Sequence, residues 1–317
     1  MPSKKSTNVR SYTPPVPSLL RLGLETVGTL APSLAGMWAA RIFVTAPPRQ
    51  PSHLREQEVL AKAETFHLQV GQQRLAALRW GTGPVVVLVH GWGGRGSQLS
   101  SFVEPLVRAG FGVVAFDGPA HGASDGRTSS LPGFARALSA VIREVGPVHA
   151  VVAHSMGAAA CMLAIRQGAS VPRAVFLAPP ANAHDFFEKF ATYFSLRADV
   201  ARAAEAHLER RLRMQWSELE ARAMASEAGS RVPLLVFHDQ EDKDVAWANG
   251  AKVAAAWPGA ELVTTKGLGH FRILRDANVI TDAVRFLVRG AADCHCEQCE
   301  LERELFDRSS RFPRMSA

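Results

Sequence analysis

The sequence predicts a doubly wound, mostly parallel α/β sheet of about eight strands with an inserted helical cap. Three observations carry that prediction. From Thr65 onward, short apolar runs rich in β-branched residues alternate with segments of helical period. One long gap in the alternation, between Pro179-Pro180 and Val232-Pro233, holds amphipathic helical sequence without a strand signal. Finally, a 317-residue chain that is 47% hydrophobic and 21% charged suits one large α/β domain with an insertion better than two independent domains.

Residues 1–17 are rich in Ser, Pro and Lys and are not expected to fold. Leu19 to Val44 is apolar but interrupted by Arg21, Glu25, Pro32 and Arg41. Its uncharged core, Thr26 to Ala40, falls short of the ~20 residues a membrane-spanning helix needs. One or two amphipathic helices packed on the domain are expected, and the basic start, Lys4-Lys5 and Arg10, keeps peripheral membrane contact as the alternative. Phe66–Val70 and Arg74–Trp80 form an antiparallel pair around Gly71. The runs Val85–His90, Gly112–Asp117, His149–Ala153, Val175–Ala178, Leu234–His238 and Glu261–Thr265 read as buried parallel strands. Helices are predicted over Gln98–Ala109, Leu131–Val145, Met156–Gln167, Ala246–Trp257 and Asp276–Val288. The aromatics of the gap, Phe186, Phe187, Phe190, Tyr193, Phe194 and Trp216, are expected to staple cap to core, with a few lining a substrate pocket. The predicted division is 1–64 as an unfolded start plus amphipathic helices, 65–180 with 232–290 as core, 181–231 as cap and 291–317 as a cysteine-containing tail.

The net charge of +7 comes from scattered arginines, densest at Glu209-Arg210-Arg211-Leu212-Arg213, with no basic-aromatic motif, so nucleic acid is not an expected partner. Four cysteines, one in a predicted helix and three in the tail, do not form a secreted disulfide framework, and no signal peptide is evident. A cytoplasmic location is expected.

The chemistry centres on Ala153-His154-Ser155-Met156-Gly157, which follows an apolar run and opens a helix of small residues, Ala158 to Leu163. A sharp strand-to-helix turn there lifts the Ser155 hydroxyl clear of the sheet, and small flanking residues let strand and helix approach closely. Serine is a weak nucleophile without a base and an orienting acid. His270, in Gly267-Leu268-Gly269-His270-Phe271, follows the last strand and can reach back over the strand ends. The acid is sought in Leu234 to Val245, where four acidic residues compete. Asp242 is chosen because the loop must turn for about four residues before its carboxylate faces the histidine, with Asp239 and Asp244 as fallbacks.

Over roughly residues 65–290 the chain resembles the α/β-hydrolase fold superfamily, on His90-Gly91-Trp92-Gly93-Gly94, Asp117-Gly118-Pro119-Ala120-His121-Gly122-Ala123-Ser124, Ser155, Asp242 and His270, in the family's order of Ser, Asp and His. The resemblance implies that the backbone N–H groups of Trp92 and Met156 form an oxyanion hole. His90, Asp117, His121 and His154 are read as structural, with pocket lining an alternative for His154, and Cys161 as a buried small hydrophobe. A rival reading exists: Gly91-Trp92-Gly93-Gly94-Arg95-Gly96, followed by Asp117 at a strand end, matches a dinucleotide-binding fingerprint. That reading leaves Ser155, Asp242 and His270 unexplained. A phosphate-binding P-loop fails because no Lys follows Gly96.

The expected function is that of a serine hydrolase cleaving a carboxylic ester with a hydrophobic acyl or aryl group, without a cofactor. A thioesterase or acyltransferase can use the same constellation, and a non-enzymatic ligand-binding member is the alternative from another class. The small-molecule ester is the expected partner, with oligomeric state left open. Separately, Cys294, His295, Cys296 and Cys299 form a candidate zinc cluster in the tail.

Overall fold

The structure is a computed structural model that describes residues 18–49, 51–225 and 232–292. The described chain forms two compact units, one from residues 44–185 and 212 onward, the other from residues 18–43 and 186–211.

The larger unit is built on an eight-stranded sheet in the order β1-β2-β4-β3-β5-β6-β7-β8. Its strands are β1 (Glu64–Val70), β2 (Gln73–Trp80), β3 (Val85–Val89), β4 (Gly112–Phe116), β5 (Val148–His154), β6 (Ala174–Leu177), β7 (Leu234–Asp239) and β8 (Glu261–Thr265). β1 and β2 pair antiparallel, β2 joins β4 antiparallel, and every pairing from β4 through β3 to β8 is parallel. All eight strands lie where the sequence predicted them, within a few residues at their ends.

Side chains on successive strand positions point to opposite faces, and the two faces carry separate cores. Val87 and Val89 of β3, Val151 and Ala153 of β5 and Phe176 of β6 face α5 (Leu131–Val145) and α6 (Met156–Arg166). Val86, Leu88, Ala150, Val152, Val175 and Leu177 turn to the other face, with Leu106 of α4 (Val103–Arg108) and Val279, Ala283 and Leu287 of α12 (Ala277–Ala292). Central strands buried on both sides therefore read as continuous apolar runs. The sharp start of α5 has a local cause: the Ser130 hydroxyl accepts from the Gly133 N–H at 3.2 Å, and Pro132 occupies the first turn. The segment predicted as one helix over Gln98–Ala109 is instead a 3₁₀ stretch, Gly96–Phe102, kinked at Leu99, that runs on into α4. α3 (Leu54–Leu60) joins this unit through Glu56, whose carboxylate takes a bidentate pair from Arg95 at 2.9 Å and a bond from the Ser97 hydroxyl.

The smaller unit is helical. It comprises α1 (Ser18–Leu30), α2 (Pro32–Phe43), most of α7 (His184–Tyr193) and most of α8 (Ala198–Leu212). Small residues allow close approach: a Cβ on Gly28 would come within 2.9 Å of Val200, and one on Gly36 within 2.6 Å of Ala203. At the other end the Phe43 ring meets Phe187 and Phe190 edge-on, each at 5.3 Å between centroids. The N-terminal helices thus group with the inserted helices, and several of the insert's aromatics serve that packing. The chain re-enters the larger unit early. The 3₁₀ turn Trp216–Leu219 and α9 (Ala221–Met224) bury Leu219, Ala221 and Met224 in the core beside α6.

Candidate active site

Topology places the site before any side chain is considered. β3 has β4 on one side and β5 on the other, so the connections leaving β3 and β4 run to opposite sides of the sheet, and the crevice at the carboxyl ends of β3 and β5 is the switch point where open α/β sheets hold ligands.

Ser155 stands at that point, between the end of β5 and the start of α6, with φ 52° and ψ −122°. A left-handed conformation in a non-glycine residue is strained and is retained only when the surroundings dictate it. Here they do. The Ser155 N–H donates to Leu177 O at 2.9 Å, and the Ser155 carbonyl accepts from Ala158 N–H at 2.9 Å. Gly157 is required by close approach, since a Cβ there would lie 2.5 Å from the His90 carbonyl oxygen and 2.7 Å from that of Val89. Ala153, the departure from glycine at the start of the motif, costs nothing visible: it is an ordinary strand residue opposite Val89 and Phe176.

Asp242 and His270 meet. His270, on α11 (Gly269–Arg272), donates from Nδ1 to Asp242 Oδ2 at 2.7 Å, and both residues are buried. The second oxygen of Asp242 accepts the N–H groups of Asp244 and Val245, each at 2.9 Å. His238 Nε2 also approaches Oδ2, at 3.5 Å, although its shorter bond, 2.8 Å, goes to the Val245 carbonyl. Burial opposes ionisation of Asp242, but His238 and His270 on Oδ2 and the loop N–H groups outweigh it and hold the carboxyl well below the usual range. Of the fallback acids, one is engaged in other bonds and one lies beside the pair. Asp239 ties the two loops together, accepting from Glu241 N–H, Leu268 N–H and the Thr265 hydroxyl at 2.8–2.9 Å. Asp244 lies close by, with its carboxylate, that of Asp242 and the His270 ring within 4.8 Å of one another.

His154 is a partner that sequence reasoning undervalued. It is buried against His270, with ring centroids 4.6 Å apart, and its Nε2–H donates to the His270 carbonyl at 3.0 Å. Burial first, and the neighbouring His270 next, keep it neutral by lowering its pKa well below 6.5. It anchors the backbone of His270 rather than lining a pocket. The signal in the sequence was position alone, immediately before Ser155.

The loop after β3 is held by residues read as structural. Gly118 N–H donates to His90 Nε2 at 2.9 Å, which leaves the His90 Nδ1–H to bond Gly91 O at 2.7 Å. In the same way His121 accepts from Gly93 N–H at 3.0 Å and donates to Pro119 O at 2.9 Å. Desolvation, aided by His121 nearby, lowers the His90 pKa to about 3, so the ring is neutral and keeps this tautomer. The Asp117 carboxylate accepts Gly96 N–H and Ala123 N–H, both at 2.7 Å. Both oxygens of Asp117 thus bond N–H groups of its own neighbouring loops, a structural duty that accounts for this acid without a dinucleotide. Trp92 sits at the turn of this loop, and Met156 is the first residue of α6, whose N–H has no partner within the helix. Cys161 is fully buried on α6, and burial pushes its thiol far up. The cluster Cys294, His295, Cys296 and Cys299 lies outside the described residues.

The arrangement can hold a proton on His270, stabilise positive charge there through Asp242, and present Ser155 at a helix N-terminus. The profile of a family described as the alpha/beta hydrolase family matches residues 86–283. Among solved structures, an esterase from Pyrococcus furiosus aligns with a TM-score of 0.61 at 18% identity, covering 78% of this chain and 97% of its own. Est1E from Butyrivibrio proteoclasticus, solved with ferulic acid bound, gives 0.55 at 17%, covering 72% and 100%. A bromoperoxidase from Bacillus anthracis gives 0.54 at 17%, covering 71% and 100%. At these identities the likeness speaks for fold alone. No protein of curated function matches the sequence.

Proposed function

Because this chain belongs to the alpha/beta hydrolase family, we propose that it is a serine hydrolase that cleaves a carboxylic ester bearing a hydrophobic acyl or aryl group. The observations that support the reading are the 2.7 Å bond from His270 Nδ1 to Asp242 and, at the head of α6, a serine in the left-handed conformation whose preceding residue, His154, has its ring 4.6 Å from that of His270. In this mechanism Ser155 Oγ attacks the ester carbonyl while His270 Nε2 takes its proton. Asp242 stabilises the imidazolium and keeps Nδ1 protonated, so that Nε2 is the basic nitrogen. The N–H groups of Trp92 and Met156 receive the developing oxyanion, favoured at Met156 by the helix dipole. As the tetrahedral intermediate collapses, the ester bond breaks and the leaving alkoxide takes the proton from His270. Water then attacks the acyl-enzyme, giving its proton to His270, which returns it to Ser155 Oγ as the acid departs.

The preference for an apolar acyl or aryl group rests on the aromatic composition of the insert. No step draws on a metal or an organic cofactor.

A decisive test compares wild type with Ser155→Ala on p-nitrophenyl esters and acyl-CoA thioesters, alongside labelling by a fluorophosphonate probe. Wild type should hydrolyse esters and accept the probe, and the variant should do neither while keeping its fold. Turnover by Ser155→Ala within tenfold of wild type would sink the assignment, and preference for thioesters would move the substrate class.

A further inference from the structure

The loop that leaves β3 has little stiffness of its own. Four of its six residues 91–96 are glycine, at positions 91, 93, 94 and 96, and glycine leaves a backbone freer than any other residue. Gly93 uses that freedom, at φ 70°. The loop nevertheless runs against the nucleophile, since a Cβ on Gly91 would lie 2.9 Å from Ser155 Cβ, and it carries the Trp92 N–H assigned to the oxyanion hole. A donor in that role must be held to within about 0.5 Å of its working position. His121 and Asp117 fix two of the loop's N–H groups, those of Gly93 and Gly96. Further restraint comes from the chain before β1.

Val44 to Ala46 run antiparallel to residues 127–129: Thr45 bridges Thr128, Ala46 N–H donates to Arg127 O at 3.1 Å, and Ser129 N–H donates to Val44 O at 2.8 Å. Arg49 extends the tie, donating to Ser124 O at 2.7 Å. So anchored, the segment lays Pro47 on the glycine loop, where a Cβ on Gly93 would come within 3.1 Å of Pro47 Cγ. A proline ring locks its own φ and makes a stiff surface. Further along, the buried Glu56 of α3 takes Arg95 and Ser97, the residues either side of Gly96, in three hydrogen bonds of 2.8–2.9 Å. A bidentate pair between arginine and carboxylate fixes direction as well as distance. All of this lies ahead of residue 86, where the family match begins.

We infer that residues 44–60 form a strap that positions the oxyanion loop, with Pro47 and Glu56 as its positioning residues. The inference rests on the hydrolase reading of Ser155. Pro47 acts through Gly93, and Glu56 through Arg95 and Ser97, on the Trp92 N–H. That donor counts most when negative charge develops on the ester oxygen. Releasing the strap therefore costs transition-state binding and leaves ground-state binding in place.

Pro47→Gly and Glu56→Gln test this in the full chain, with a p-nitrophenyl ester, an alkyl boronic acid that bonds the active serine as a transition-state analogue, and the carboxylic acid product as a ground-state ligand. Each variant should lower kcat at least tenfold with KM within threefold of wild type, and weaken the boronic acid by the same factor while product affinity stays within threefold. Pro47→Val, which keeps an apolar side chain against Gly93, should hold kcat within threefold of wild type. Hydrogen exchange read by mass spectrometry follows the loop without catalysis: the amides of residues 91–96 should exchange at least tenfold faster in Pro47→Gly and Glu56→Gln. A strap with only a structural role would lower the urea midpoint and leave kcat and boronic acid affinity unchanged, which overturns the inference, as does unchanged exchange. Pro47 is exposed, so Pro47→Gly should keep the fold and decides the matter if Glu56→Gln does not. A wild type that neither turns over the ester nor takes a fluorophosphonate probe removes the hydrolase reading and the inference with it, whereas an active wild type with undisturbed variants removes the inference alone.

Discussion

Asp242 and Asp239 are three residues apart and both buried, yet they have different duties, and substitution should separate them. Asp242→Asn keeps the shape but loses the charge beside His270, so kcat for ester hydrolysis should fall by about 10²–10⁴-fold with KM little changed. Asp239 instead accepts from Leu268, Thr265 and Glu241, against the cost of its own burial, and holds the loop that delivers His270. Asp239→Asn should therefore lower the unfolding midpoint more than Asp242→Asn does, with a smaller loss of kcat. Asp244→Asn should do less to kcat than Asp242→Asn. Kinetics and urea denaturation of the three variants check this, and a larger kcat loss at Asp239 or Asp244 would reassign the acid. The sequence made Ser155 and His270 legible because each sits on a motif with glycines at informative spacings. Among four acids in one loop only the count of residues after the strand favoured Asp242. The bond from His154 to the His270 carbonyl was beyond reach, since it joins residues 116 positions apart with no motif between them.

At the scale of elements, the tightest joint is α6 against β3. Gly157→Ala would set a methyl 2.5 Å from the His90 carbonyl oxygen, a backbone atom that cannot swing aside. Helix α6 would have to lift, at about 1–3 kcal/mol, and Ser155 would move with it. The expected result is a lower urea midpoint together with a kcat loss out of proportion to it, and a variant with wild-type stability would show that the joint is looser than the structure indicates. Strands and most helices were legible here because β-branched runs and helical periods are local signals. The 3₁₀ start of the segment after β3 was not, because Gly96 N–H is claimed by Asp117, a contact from another loop. Nor was the early return of the insert to the core through Leu219 and Met224, which only tertiary packing reveals.

For the molecule as a whole, buried neutral histidines couple folding to pH. His90 has its pKa lowered from 6.5 to about 3, and that of His154 is also driven down. The unfolded chain takes up protons as pH drops through 6.5 while the folded one refuses them. Stability is thus complete above 6.5 and erodes below it, by about 2 kcal/mol at pH 5 for His90, with a further loss in the same direction from His154. Asp242 adds its own loss only below the ordinary carboxylate range. Urea midpoints at pH 7.5 and 5.0 should differ accordingly, and a flat profile would contradict the buried neutral state. The pairing of α1 and α2 with helices near residue 200 was illegible, because glycine and alanine faces look alike wherever they pack. That pairing sets an order of events at the ribosome. Residues 18–43 leave the exit tunnel long before α8 has been translated, a delay on the order of ten seconds or more at ordinary elongation rates. During that interval both sides of the hairpin are apolar and bare, one awaiting Val200 and Ala203, the other facing solvent throughout. A nascent chain in this condition is a natural client for a holding chaperone. A chain beginning at Val44 should leave α8 with an orphaned apolar groove, and should be recovered mainly as aggregate when expressed beside the full-length protein.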